Sequence, residues 1–299
     1  MVARNTLILG ILLLFCAGCK GTGSDSPRIL NARFLNKKYT VEKPAKVYAT
    51  TASSLPVSIS YKWFVNGMLV PDINTASLPP DYFNKKDNIV CEIRVTDSLG
   101  RESEPYKLGP VTIENSLPEI IWADFSLTDD IYKGIDLSII VQTKDIDDDV
   151  VTIRYTWYLD NKFLSNDSVL DGQLLKAGKN VRVELVPYDG DTVGESFEIT
   201  RPIIVQNLPP KVIGTLIPVM NDSLIICKID VEDPDGDQVS YVIEEGPPGM
   251  TIDNTGRIQW KRPETLRDTT YNIVVMVTDS RGAGERIKLP LKITKSLIQ

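Results

Sequence analysis

A repeat of about ninety residues governs what this chain can fold into. Asn115-Ser-Leu-Pro118 and Asn207-Leu-Pro-Pro210 lie 92 residues apart, each after a short apolar run, Val111-Thr-Ile113 and Ile203-Ile-Val205. Tyr61-Lys-Trp-Phe-Val-Asn-Gly67 returns 94 residues later as Tyr155-Thr-Trp-Tyr-Leu-Asp-Asn161. A third pattern occurs three times: Val95-Thr-Asp97-Ser-Leu-Gly100, Pro187-Tyr-Asp189-Gly-Asp-Thr-Val-Gly194 and Val277-Thr-Asp279-Ser-Arg-Gly282, with the aspartates 92 and 90 residues apart. Self-similarity at a fixed period means one structural unit used repeatedly.

Inside each unit the apolar residues alternate with polar ones. Cys91, Ile93 and Val95 fall on one face of a strand, with Glu92 and Arg94 on the other; Val183, Leu185 and Pro187 repeat the pattern, as do Ile273, Val275 and Val277. Period two is the mark of a half-buried strand, and no segment after residue 19 carries a helical period. Short strands, frequent turns and ~90-residue units predict an all-β chain of three tandem immunoglobulin-like antiparallel β-sandwiches. The expected boundaries are 28–114, 115–206 and 207–295.

Repeats one and two, with a Tyr-x-Trp-aromatic strand and a later (Val/Pro)-x-Asp turn, resemble PKD and other immunoglobulin-like domains of bacterial surface proteins. Repeat three strings together Asp233-Pro-Asp-Gly-Asp237, Gly246-Pro-Pro-Gly-Met-Thr-Ile252, Gly256-Arg-Ile-Gln-Trp260 and Val277-Thr-Asp279. That order is similar to the cadherin-like, dystroglycan-type Ig module. The resemblances span residues 28–295 and imply a fold and an extracytoplasmic place; modules of this kind host many functions and imply none in particular.

The N-terminus reads as an export signal. One cation, Arg4, precedes the apolar run Leu7-Ile-Leu-Gly-Ile-Leu-Leu-Leu-Phe15, which has the length of a secretory core and falls short of the roughly 20 apolar residues that span a bilayer. Cys16-Ala17-Gly18-Cys19 resembles the lipobox of bacterial lipoproteins, although Cys16 stands where Leu is usual. The resemblance implies cleavage after residue 18 and acylation of Cys19, with residues 19–27 as a tether; the alternative is an ordinary signal peptide with an incidental cysteine. Lys20 after the cysteine favours the outer membrane by the same resemblance.

Composition limits the chemistry. The chain contains no histidine, which removes Ser-His-Asp and Cys-His nucleophile systems, His-ligated zinc and imidazole acid–base catalysis. The net charge of −7 disfavours nucleic acid, whose phosphates need an excess of cations. No phosphate-cradling loop or Ser-x-x-Lys occurs, and no carboxylate pair stands out for glycoside hydrolysis. The expectation is a protein that is not an enzyme.

Four sets of residues remain as candidates. Trp63 and Trp157 belong on the inner face of their strands and fill the core, a sugar-stacking platform being the other reading. Phe64 and Tyr158 fall on the opposite face and are the candidates for surface contact. Cys91 and Cys227 read as buried thiols in different repeats. The acidic loops Lys144-Asp-Ile-Asp-Asp-Asp149 and Asp233-Pro-Asp-Gly-Asp237 occupy corresponding places, Asp145 and Asp233 being 88 residues apart. Carboxylates at alternate positions of a turn converge on a hard cation, and calcium takes six to eight oxygens. Asp233, Asp235, Asp237 and Asp279 are therefore the candidate calcium ligands of repeat three. The other reading is that Asp simply closes turns through its own backbone. Repeat one has no equivalent loop. Together these features suggest a lipid-anchored outer-membrane rod, on the periplasmic face or the cell surface, that binds a protein or polysaccharide, its open strand edges available to a partner strand. The alternatives are a structural spacer or assembly component of a larger envelope complex and a carbohydrate-binding accessory protein.

Overall fold

The computed structural model describes residues 26–127, 130–221, 223–264 and 268–294. The signal segment and Cys19 lie outside the described residues. Among those described, the chain is all-β: every paired strand is antiparallel, two 3₁₀ turns (Pro80–Tyr82 and Gly172–Leu174) interrupt the strands, and no helix is long and apolar enough to cross a membrane. Two compact units emerge, Met1–Asn115 and Ser116–Gln299. The first contains one hydrophobic core and the second contains two.

In the first unit, β1 (Arg28–Phe34), β2 (Ala45–Ala52) and β5 (Ser77–Leu78) form one sheet. The facing sheet has the order β4 (Met68–Val70), β3 (Val57–Val65), β6 (Asn88–Asp97), β7 (Tyr106–Thr112). The alternation along β6 works as the sequence implies: Ile89, Cys91, Ile93, Val95 and Asp97 are buried, and the residues between them are not. Trp63 is wholly buried between the sheets, and its indole N–H donates to the Thr75 carbonyl at 2.9 Å. A buried tryptophan needs such an acceptor, because an unpaired N–H in a core costs about 1–3 kcal/mol.

The second unit begins with the same plan. β8 (Glu119–Phe125), β9 (Leu137–Lys144) and β12 (Val169–Leu170) make one sheet. The other runs β11 (Lys162–Ser165), β10 (Thr152–Leu159), β13 (Asn180–Tyr188), β14 (Phe197–Glu198), with β15 (Ile203–Ile204) also on β13. Trp157 repeats the role of Trp63, donating to the Asp167 carbonyl at 2.8 Å. Gly194 is required here by space, since a Cβ would come within 2.0 Å of the Pro118 carbonyl oxygen.

The remaining core lies between two larger sheets and a short pairing of β16 (Lys211–Val212) with β19 (Val231–Glu232). One sheet has the order β17 (Val219–Met220), β18 (Leu224–Lys228), β22 (Arg257–Lys261), β21 (Thr251–Ile252). The other is β20 (Val239–Glu245), β23 (Thr269–Asp279), β24 (Gly284–Ile293). Within the second unit the Lys133 ammonium donates to the Pro234 carbonyl at 2.8 Å, so residues of the first of these two sandwiches reach the acidic loop of the next.

Candidate metal centres

The loops that follow β2, β9 and β19 are built on one scheme and differ in charge. In the third sandwich, Asp233 follows β19 directly. Its Oδ1 accepts from the backbone N–H of Asp235 at 2.9 Å and of Asp237 at 3.1 Å, the self-closing turn that Asp favours. Gly236 completes the bend at φ +81°, a backbone region that glycine enters without steric cost. The loop of the preceding sandwich is a close copy. Asp145 follows β9, its Oδ1 accepts from Asp147 N–H at 2.8 Å and Asp149 N–H at 3.3 Å, and Asp148 takes the left-handed position at φ 62°.

Each loop is latched to the chain that enters its sandwich. The Ser116 N–H donates to Asp147 Oδ2 at 2.6 Å, and the Leu208 N–H donates to Asp235 Oδ2 at 2.8 Å. These bonds account for one oxygen of each aspartate and leave the other. Asp145 Oδ2, Asp147 Oδ1, Asp233 Oδ2 and Asp235 Oδ1 are buried and have no hydrogen-bond partner, and the side-chain oxygen of Asn207, next to Leu208, is in the same condition. Oxygens of Asp145, Asp147 and Asp149 lie within 4.8 Å of one another, as do those of Asp233, Asp235 and Asp237.

Turn closure explains the bonded oxygens and leaves these unexplained. A buried acceptor without a donor costs about 1–3 kcal/mol. Two carboxylate oxygens within 4.8 Å of each other repel by at least about 0.9 kcal/mol in water and about 3.5 kcal/mol at an effective dielectric of 20. A cation removes both penalties. The donors are all hard oxygens, which suit calcium or magnesium and not a soft metal; the bent, multidentate loop suits calcium's irregular shell better than magnesium's octahedron.

Of the four ligands expected in repeat three, the structure brings together Asp233, Asp235 and Asp237. Arg281 already holds one oxygen of Asp237, its Nε donating to Oδ2 at 2.8 Å, so this carboxylate enters the cluster partly neutralised. Asp279 stands outside the cluster and anchors its own turn. It is 5 % exposed; its Oδ1 accepts from the Arg281 and Ala283 amides and its Oδ2 from the Asn207 side-chain amide at 2.7 Å. Burial pushes its carboxyl up, and the bonds from Asn207 and the turn amides outweigh that and hold it below the usual carboxylate range. Asn207 was not among the expected ligands; its side-chain amide donates to Asp279 Oδ2 at 2.7 Å and its side-chain oxygen is buried without a hydrogen-bond partner. Its position in a proline-bearing boundary, where Asn207-Leu-Pro-Pro210 stands in place of the acidic run of a cadherin linker, marked it as a linker residue.

Among the described residues, the first sandwich has no such cluster. Ser53 takes the position after β2, accepting from the Leu55 N–H at 3.1 Å, so the turn closes with a hydroxyl. Asp97, the counterpart of Asp279, accepts from the Leu99 and Arg101 amides and from Arg101 Nε at 2.7 Å. Burial raises its carboxyl, and these bonds and the guanidinium outweigh it and lower it overall.

Of the two expected surface aromatics, Tyr158 has partners on the neighbouring strand. Phe64 is half-buried, and Tyr158 lies under the Arg182 guanidinium, 4.0 Å from the ring centroid, with its hydroxyl donating to Glu184 at 3.4 Å. The outward face was legible in the sequence; the cross-strand neighbours that cover it were not. Trp122, by contrast, is 47 % exposed, because a register shift between Ile120 and Trp122 turns two successive side chains outward. Cys91 and Cys227 are buried and free; burial pushes their thiols up to about 12 and about 11, which keeps them protonated and unreactive.

Residues 216–294 match the family model He_PIG, "Putative Ig domain". This segment covers most of the third sandwich. No curated protein matches the chain. Several solved structures are similar along most of the length. They include three fibronectin domains of chicken CNTN1 (12 % identity, TM-score 0.28, covering 90 % of this chain and 99 % of that one) and the insect immune protein hemolin (10 %, 0.37, 88 % and 76 %). A third is Bacteroides ovatus SGBP-B, solved with a mixed-linkage heptasaccharide (12 %, 0.22, 90 % and 71 %).

Proposed function

We propose that this chain is a non-catalytic interaction module whose second and third Ig-like domains are ordered by calcium. The observation that carries the reading is the pair of aspartate triads with buried, unpartnered oxygens, each tied to the segment that enters its domain through Ser116 or Leu208. Asp145, Asp147 and Asp149 hold one ion; Asp233, Asp235, Asp237 and the Asn207 oxygen hold the other. Main-chain carbonyls or water complete each shell. A cation at either loop ties the entering chain to the domain and stiffens an array that presents strand edges and loops to a partner.

The leader and Cys19 favour export and lipid anchoring at the outer membrane, with membrane association through the acyl chains and contacts to a protein or polysaccharide made by the domains. The absence of histidine and of any paired catalytic carboxylate supports a role without turnover.

Thermal unfolding of the purified chain with and without calcium tests the reading. A ligand at 100 times its Kd stabilises by about 2.7 kcal/mol. Because a domain of this size shifts by several degrees per kcal/mol, the transitions of the second unit should rise by about 10 °C. Chelator and calcium traces that superimpose would overturn it. Acylation is tested by the mass of the mature N-terminal peptide: a cleaved peptide carrying unmodified Cys19 contradicts the anchor.

A further inference from the structure

The first two repeats treat one strand edge differently. In each, the third long strand pairs along its whole length with one neighbour but meets its short neighbour only at its C-terminal end: β3 contacts β4 over Trp63–Val65, and β10 contacts β11 over Trp157–Leu159. The N-terminal half of the outer edge is left bare. In the first sandwich a side chain fills it, the Tyr61 N–H donating to Asn74 Oδ1 at 2.8 Å.

The equivalent edge of the second sandwich is open. The indole acceptors fix the correspondence, since Thr75 and Asp167 each follow the residue in question, so Asn166 stands where Asn74 does. Asn166 makes no bond to Tyr155 among the described residues. Instead Asn166 and Ser168 line a groove of about 540 Å³ with Ile153, Arg154, Tyr155 and Thr156.

The register shows which main-chain groups face that groove. Gly194 N–H donates to the Pro187 carbonyl, so Pro187 turns away from β10 and the pair Ile153↔Pro187 is a non-hydrogen-bonded one. Two residues on, Tyr155↔Leu185 is the same. Ile153 and Tyr155 therefore present their N–H and C=O groups outward. Their side chains pack on the core yet remain half-buried, which is the state of a sheet that lacks its next strand. Arg154, between them, stacks on the Tyr188 ring at 4.4 Å with no carboxylate partner among the described residues.

We propose that the β10 edge from Ile153 to Thr156 is a docking site for an extended peptide segment of a partner protein, bearing an acidic residue opposite Arg154. The two outward residues supply the main-chain ladder, Ile153 and Tyr155 gain an apolar neighbour, and the guanidinium sets the charge preference. Main-chain pairing needs a polypeptide, which a polysaccharide does not offer. The site rests on reading the chain as an interaction module, but not on calcium.

The test uses the full chain and two seven-residue probes of alternating Thr and Val, one with a central Glu and one with a central Lys, with calcium present and with chelator. The Glu peptide should bind saturably, about tenfold more tightly than the Lys peptide, and slow hydrogen exchange at the Ile153 and Tyr155 amides. Ile153→Pro should abolish binding while leaving the β13 pairing intact, because that N–H faces the groove. Arg154→Glu, an exposed change that keeps the fold, should reverse the preference. No saturable binding up to millimolar peptide, equal affinity for both probes, unchanged preference in Arg154→Glu, or protection at another edge would each overturn the site. Peptide binding that persists in a chain showing no calcium response would keep this site and discard the calcium reading.

Discussion

The first sandwich and the third close one corresponding loop, after β2 and after β19, in different ways. After β2 the first places Ser53, a neutral hydroxyl that accepts one amide; after β19 the third places Asp233, which accepts two amides and still has an oxygen buried without a donor. The second sandwich sides with the third through Asp145. Turn closure therefore needs only one acceptor, so a second and third carboxylate in that place must answer to something else. Asp97 and Asp279 make the same point from the other side. Both are buried turn anchors, but Asp97 takes the Arg101 guanidinium whereas Asp279 takes the Asn207 amide, and Asn207 keeps a side-chain oxygen that is buried without a hydrogen-bond partner.

Removing one carboxylate should change the sign of the stability effect between calcium and chelator. Asp235→Asn and Asp147→Asn keep an oxygen for the Leu208 or Ser116 amide and delete a charge. In calcium each variant should lose about 2–3 kcal/mol of stability, as binding is lost. In chelator each should gain about 1 kcal/mol, because like-charge repulsion is relieved. Denaturant unfolding of the second unit in the two buffers reads both. Loss in both buffers would return the aspartates to a purely structural role.

Acid sharpens it next. The Asp97 and Asp279 carboxyls are held low in the folded state. A lowered folded value gives stability that is present above the unfolded carboxylate value of about 3.9 and is lost as pH falls through the folded value. Arg101→Met should move acid unfolding of the first unit to higher pH in either buffer, since no cation is involved there. Asn207→Ala should do the same for the third sandwich and also weaken its response to calcium. Acid titrations followed by backbone NMR distinguish the two.

The smallest expected effect concerns the bend. Gly236 and Asp148 hold the same left-handed position, and a side chain there carries a steric cost. Asp148→Gly should stabilise the second sandwich by up to about 1 kcal/mol, offset in part by the greater freedom of glycine in the unfolded chain. Its calcium response should be unchanged, since Asp148 is not among the clustered three. A lost response would make Asp148 a ligand.

Much of this is legible in the sequence. The 88-residue spacing of Asp145 and Asp233 identified equivalent loops, and the alternation through Cys91, Ile93 and Val95 put the right side chains inside. What escaped was lateral. Arg182 covers Tyr158 from the neighbouring strand, and Asn207 reaches Asp279 across 72 positions, contacts that exist only once register is set. The bulge beside Trp122 adds one residue to a strand and so inverts the alternation locally, exposing a tryptophan that period two would not single out. The open β10 edge escaped for a related reason: Asn74 and Asn166 are the same residue type at the same place, and only the structure shows one of them bonded to the strand.

Equilibrium dialysis against labelled calcium tests the central claim most directly. Two ions per chain are expected, falling to one in Asp147→Asn, to one in Asp235→Asn and to none in the double variant. Binding of no calcium at millimolar concentration, or two ions retained in the double variant, would contradict it.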